Sequence, residues 1–188
     1  MSPILTGVIA SGISGNLTTN SFESIATANG TGSSNTISFT SIPSTYKHLQ
    51  IRGIVKSTTT GSSLSGVAFT ANSDSTSSYT RHILYGNGTT AYGYANTAST
   101  AWSIGGNDLP SAGYTNIVGA HIIDILDYTD TNKYKTVRAL TGCDVNGGGE
   151  ILLSSTVYIK TTAISSIQLV SASGNFATST QYSLYGIK

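Results

Sequence analysis

The sequence predicts an all-β fold: a single antiparallel β-sandwich, jelly-roll-like, preceded by an extended N-terminal arm. Three observations predict it. Apolar residues alternate with polar ones along many short segments, the mark of half-buried strands. Those segments recur at near-regular spacing between Gly, Asn, Asp and Ser clusters, as in sandwiches and barrels. Charge is scarce: 9% of the 188 residues are Asp, Glu, Lys or Arg, against about 25% in ordinary domains. Ser and Thr fill about three positions in ten. Thr suits strands, whereas long solvated helices would need Glu and Lys.

Residues 1–35 read as the arm. They are rich in Gly, Ser, Thr and Asn, with small apolar patches at Ile4-Leu5, Val8-Ile9 and Phe22 to Ile25. Residues 36–188 read as the sandwich. TISF (36–39) leads into the Ile42-Pro43 break. HLQIRGIVKS (48–57) is the clearest strand, with Leu49, Ile51 and Val55 on one face and His48, Gln50, Arg52 and Lys56 on the other. LSGVAFTA (64–71) and SYTRHILYG (78–86) follow, the latter ending in a Gly-Asn-Gly turn signal. TTAYGYAN (89–96) carries Tyr92 and Tyr94 on one side. The span 97–116 is irregular. VGAHIIDILDY (118–128) and YKTVRALTG (134–142) form a hairpin across TDTNK. CDVNGGGE (143–150) turns the chain into ILLSSTVYIK (151–160), and SSIQLVSA (165–172) and QYSLYGIK (181–188) complete it. A short helical turn is expected near 161–164. Strands should read apolar inward and hydroxyl outward.

Composition narrows the function. The net charge is +1, with no basic stripe for nucleic acid and no polybasic cluster for anionic lipid. No apolar run has the length of a membrane span, and no positive residue precedes the first apolar stretch, so neither a secretory leader nor membrane insertion is expected. A single cysteine, Cys143, excludes an intrachain disulfide frame. It reads as a packed or loop residue before it reads as a nucleophile.

The chemical motifs are weak. His48, His82 and His121 are dispersed, without metal-ligand spacing. Asp124, Asp127, Asp130 and Asn132 crowd one hairpin, but a calcium loop would need a Gly and a closing Glu that are missing, so turn-making is the expected role. Asp124, on the Ile122–Leu126 face, should seek Arg138 or a hydroxyl. Glu23 and Glu150 have no evident partner for acid–base hydrolysis, and no G-x-S-x-G elbow occurs. No catalytic residue, metal or cofactor is therefore expected. Tyr85, Tyr92, Tyr94, Tyr114 and Trp102 cluster in the middle third. Such side chains suit subunit interfaces, the favoured reading, and sugar stacking, its competitor.

Several stretches together, FESIAT (22–27), SFTSIPSTYKHLQIR (38–52), HIIDILDYTDTNK (121–133), SGNFA (173–177) and YSLYGIK (182–188), resemble small virion structural proteins of tailed bacteriophages of aquatic bacteria. The likeness is weakest over 58–118. It implies a decoration or head/tail appendage protein, built into the virion after synthesis in the host cytoplasm, with capsid or tail proteins as partners and a homotrimeric assembly. An assembly surface of Ile4, Leu5, Phe22, Ile25, His48, Gln50 and Arg52 fits that role. The alternative is a tail-fibre module that binds a host surface glycan through the tyrosine cluster.

Overall fold

The computed structural model describes residues 21–188; Ile4 and Leu5 lie outside them. Among the described residues fourteen strands form: β1 (Phe22–Asn29), β2 (Thr36–Phe39), β3 (His48–Val55), β4 (Leu64–Ser65), β5 (Val67–Ala71), β6 (Tyr79–Gly86), β7 (Ala91–Ser99), β8 (Trp102–Ser103), β9 (Leu109–Pro110), β10 (Gly119–Leu126), β11 (Lys135–Asp144), β12 (Gly149–Tyr158), β13 (Ile167–Ser171) and β14 (Gln181–Ile187). No helix forms among the described residues, and 161–164 is irregular. The strands expected from alternation are found within a few residues of their predicted ends.

Two antiparallel sheets carry the fold. The large one has eight strands in the order β1-β14-β3-β10-β11-β12-β6-β7, and the small one has four, β2-β13-β5-β8. β4 and β9 make a separate two-stranded ladder. The partition is eight against four, not the two similar sheets of a simple jelly roll. The core lies between the sheets. Leu49, Ile51, Ile123, Ile125, Val137 and Leu184 of the large sheet meet Ile37, Phe39, Val67, Phe69, Ile167 and Leu169 of the small one in one cluster. Burying a side chain of this kind stabilises the fold by about 1.5–3 kcal/mol.

Residues 22–29 of the predicted arm belong to the large sheet. As β1 they pair with β14, from Phe22 opposite Ile187 to Asn29 opposite Gln181. Ile25 is partly buried and packs against the core, which removes it from the expected assembly surface. Phe22 remains exposed, stacked on Tyr185 at 4.8 Å, with the Arg52 guanidinium 5.2 Å from its ring.

The register lines residues up in rows across the large sheet. One inner row runs Tyr182, Gly53, His121, Thr141, Leu152, Tyr85, Tyr92 from β14 to β7. Gly53 serves a packing purpose in that row. A Cβ there would collide with the fully buried Tyr182 ring. Without one, the ring lies across β3 and its hydroxyl reaches His121 Nδ1, two strands away, at 2.7 Å.

Gly53→Ala should therefore force Tyr182 off His121 and destabilise the fold by about 1–3 kcal/mol, the usual cost of overpacking. Urea unfolding of the two proteins measures this; an unchanged midpoint would show that the ring can move freely.

Candidate functional site

On β12 the expected pattern is inverted. Leu152, Ser154 and Thr156 point inward, while Ile151 and Leu153 point out, Ile151 with 62% of its surface exposed. Pairing with β11 and β6 sets this register, and a one-residue slip would have exchanged the faces. The outward leucine joins a row of its own kind: Ile122, Leu140, Leu153 and Leu84 stand directly opposite one another on β10, β11, β12 and β6. A second row holds Ile54, Ala120, Gly142, Ile151 and Gly86. All the large aliphatic side chains in both rows are exposed. The small residues of the second row form the floor of a groove of about 740 Å³, walled by the 87–89 and 144–149 turns.

The next outward row is polar and holds Gln50, Asp124, Arg138, Ser155 and His82. Gln50 Nε2 donates to Asp124 Oδ1 at 2.7 Å, and Arg52 Nε donates to Gln50 Oε1 at 2.7 Å. Asp124 thus takes an amide as its hydrogen-bond partner, not the expected arginine or hydroxyl. His48 lies at the hairpin loop, where its Nδ1 accepts the Asp127 backbone N–H at 2.9 Å. The loop acids brace the turn, with Asp127 bound to Lys133 at 2.6 Å and Asp130 accepting from the Asn132 backbone at 2.8 Å.

The inner face beyond the small sheet carries a different chemistry. There Tyr92 and Tyr94 are 45% and 44% exposed on β7. Tyr85 stacks on Tyr92 at 5.0 Å and meets Tyr94 edge-on at 6.3 Å, and Arg81 lies 5.3 Å from the Tyr94 ring. Burial pushes the Tyr85 hydroxyl pKa up, helped by the Glu150 charge. Tyr85, Tyr92 and Tyr114 line one cleft of about 540 Å³ with Ser62, Asn107 and Glu150. Trp102 does not join them. It is fully buried, pairs with Phe69 through β8, and meets that ring edge-on at 5.4 Å; the short small sheet needs a large side chain to complete its cover.

The cleft is held by polar clamps. Glu150 is buried and accepts from Asn107 twice, from its backbone N at 3.1 Å and its Nδ2 at 3.2 Å. Lys56, placed on the wet face by alternation, instead caps the Tyr114 and Ile117 carbonyls, the latter at 3.0 Å. Gly149, at φ 133°, makes the tight turn that brings Glu150 in.

Beside the cleft lies a sealed chain of ionisable groups. Tyr182 bonds His121, whose Nε2 sits 3.0 Å from Asp108 Oδ2, off the line of a well-aligned hydrogen bond. The His121 and Asp108 side chains have no exposed surface. Burial, with the Asp108 charge, drives the Tyr182 pKa well above its ordinary value. No substrate can reach these groups in this conformation, so the chain ties the 103–110 loop to the large sheet. Cys143 is half-buried: burial and the Asp108 charge push its thiol up to about 11, and it donates to the Asn107 carbonyl. Lys135 is fully buried, its ammonium capped by the Asp130, Lys133 and Thr161 carbonyls. Lys135 shares its parity with Val137 and Ala139 on the buried face of β11.

Comparison of the chain with protein-family models, with characterised proteins and with solved structures found no match.

The 72–78 loop lies at the opposite end of β6 from Tyr85 and is braced by Asp74. Burial raises the Asp74 pKa, but hydrogen bonds from the Thr76 side chain and backbone, with Ser78 and Tyr158, outweigh it and push it down to about 2. A depressed carboxyl stabilises the fold above its unfolded value, and that contribution disappears as pH falls through the folded one. Asp74→Asn should lower the melting temperature at pH 5, with the gap to wild type closing towards pH 2. Thermal melts across that range check the sign; a gap that widens in acid would refute it.

Proposed function

We propose that this chain is a structural protein of a bacteriophage virion, a surface decoration or head/tail appendage that works by packing against other copies of itself. The observation that carries this reading is the pair of apolar rows on the outer face of the large sheet. Contiguous exposed apolar patches of several hundred Å² mark interaction surfaces. The whole outer face, the apolar rows and the polar row together, spans roughly 850 Å², close to the ~800 Å² each partner contributes to a standard interface. The adjacent row holds Asp124 and Arg138, and Arg52 stands at the β3 end of the Ile122 row, so a second copy meets a surface whose charges complement its own. The charge-poor, hydroxyl-rich composition supports the same reading, because such a surface responds little to salt. The stretches that resemble phage virion proteins supply the particle.

A second reading, favoured by the tyrosines that the fold gathers into one cleft, is a tail-fibre receptor-binding module. It needs the inner overhang to be free while the outer face is covered, and the two surfaces are on opposite sides of the same strands.

Light scattering tests the first reading. The chain should run as an oligomer, and Leu140→Lys with Leu153→Lys should give a folded monomer. A wild-type monomer at high concentration would sink it. Removing residues 1–20 leaves β1 in place, so the truncated chain should fold but lose attachment to the particle; full incorporation would count against an anchoring role for that segment.

A further inference from the structure

We infer that the cleft between the Tyr85–Tyr92 stack and the Tyr114 loop binds a neutral oligosaccharide. This rests on the receptor-binding reading and gives it a ligand class. A pyranose ring has apolar C–H faces and a rim of hydroxyls, so its site needs flat aromatic faces beside uncharged donors and acceptors. The cleft has both. Tyr85, Tyr92 and Tyr114 supply the rings, and Ser62, Asn87 and Asn107 supply hydroxyl and amide groups. Its volume of about 540 Å³ falls within the ~300–1,000 Å³ of small-molecule sites, room for more than one sugar ring.

The charges select against other ligands. Neither Lys nor Arg lines the cleft, and its single ionisable acid is the Glu150 carboxylate. Phosphate, sulfate and acidic sugars would meet a negative group with no cation to offset it. A purely apolar ligand would leave the free Asn107 amide oxygen and the Ser62 hydroxyl without partners.

The site is also set before any ligand arrives. Glu150 is a positioning residue: holding Asn107 by N at 3.1 Å and Nδ2 at 3.2 Å, it leaves the amide oxygen of that exposed side chain as the free acceptor. Lys56 holds the loop that carries Tyr114 through the Ile117 carbonyl at 3.0 Å. Tyr92 is fixed by its stack on Tyr85. Preorganised groups lose little freedom on binding, which suits a weak ligand such as a neutral sugar.

Calorimetric titration of the full chain with maltohexaose, cellohexaose and mannohexaose tests this, with sialyllactose and a proline-rich decapeptide as the competing classes. At least one neutral hexaose should bind saturably. Tyr92→Ala and Asn107→Ala should each weaken it roughly tenfold or more, while Tyr92→Phe retains most of the affinity. Tyr134→Ala, on an exposed tyrosine of the distant hairpin loop, should change nothing. Tyr92 is an exposed residue of an edge strand, so its truncation opens no core; circular dichroism melts verify this. Failure of every hexaose to bind below about 10 mM, binding of only the acidic sugar or the peptide, or full hexaose affinity in both alanine variants overturns the inference. If no sugar binds and Tyr92→Ala still abolishes adsorption to host cells, the saccharide is wrong and the receptor reading survives.

Discussion

The unequal width of the two sheets governs the rest of the molecule. Four strands cannot cover the inner face of eight. Where the small sheet lies, the inward residues that meet it include Leu49, Ile51, Ile123, Ile125, Val137 and Leu184, as apolar burial requires. Past its edge at β8 the same rows continue on β6 and β7 as Arg81, Tyr85, Tyr92 and Tyr94. These side chains tolerate partial exposure because each joins an apolar body to a polar tip. The single row from Tyr182 to Tyr92 shows the transition residue by residue. It starts under the small sheet with a sealed hydroxyl and ends at an exposed ring.

The same constraint explains the polar groups inside. A loop crossing the end of a sandwich must satisfy its backbone without a strand beside it. The 103–110 segment does so by tying itself down: Asp108 to His121, Asn107 to Glu150, and Cys143 to the Asn107 carbonyl. A buried polar contact of this kind is poor evidence of net stability, since desolvation offsets much of its attraction. Its effect is geometric. It sets where Asn107 and the adjoining turn stand relative to the tyrosines, without taking part in chemistry at the surface.

Much of the fold was legible in the sequence because period-two alternation and turn residues are local signals. The hairpin across TDTNK, the glycine turn at 146–149 and the β3 strand were read from a few residues each. Pairing is not local, and the misreadings follow from that. β12 was expected to face its hydroxyls outward, but Ser154 and Thr156 are inside because the register with β11 places them there. Trp102 was grouped with the tyrosines by nearness in the chain, yet a two-residue strand carries it into the core. Ile25 was assigned to a docking arm, although β14 pairs with its neighbours Ser24 and Ala26 more than 150 positions later in the chain, which sets Ile25 against the core. Lys135 shares the inward face of β11 with Val137 and Ala139, but one of the carbonyls that cap its ammonium, that of Thr161, comes from a second loop that no local signal brings near.

Alternation has a further consequence for the proposed assembly and binding surfaces. Ile151 points outward between Glu150 and Leu152, which point inward, so one strand furnishes both an apolar contact and a clamp for the cleft behind it. The turn at 144–149 borders the groove on one side and the cleft on the other. Covering the outer face would immobilise that turn and, with it, the carboxylate that positions Asn107. A protein held by one side of a sheet can in this way stiffen a site on the other without any change of fold, because the pleat places the two sets of side chains one residue apart.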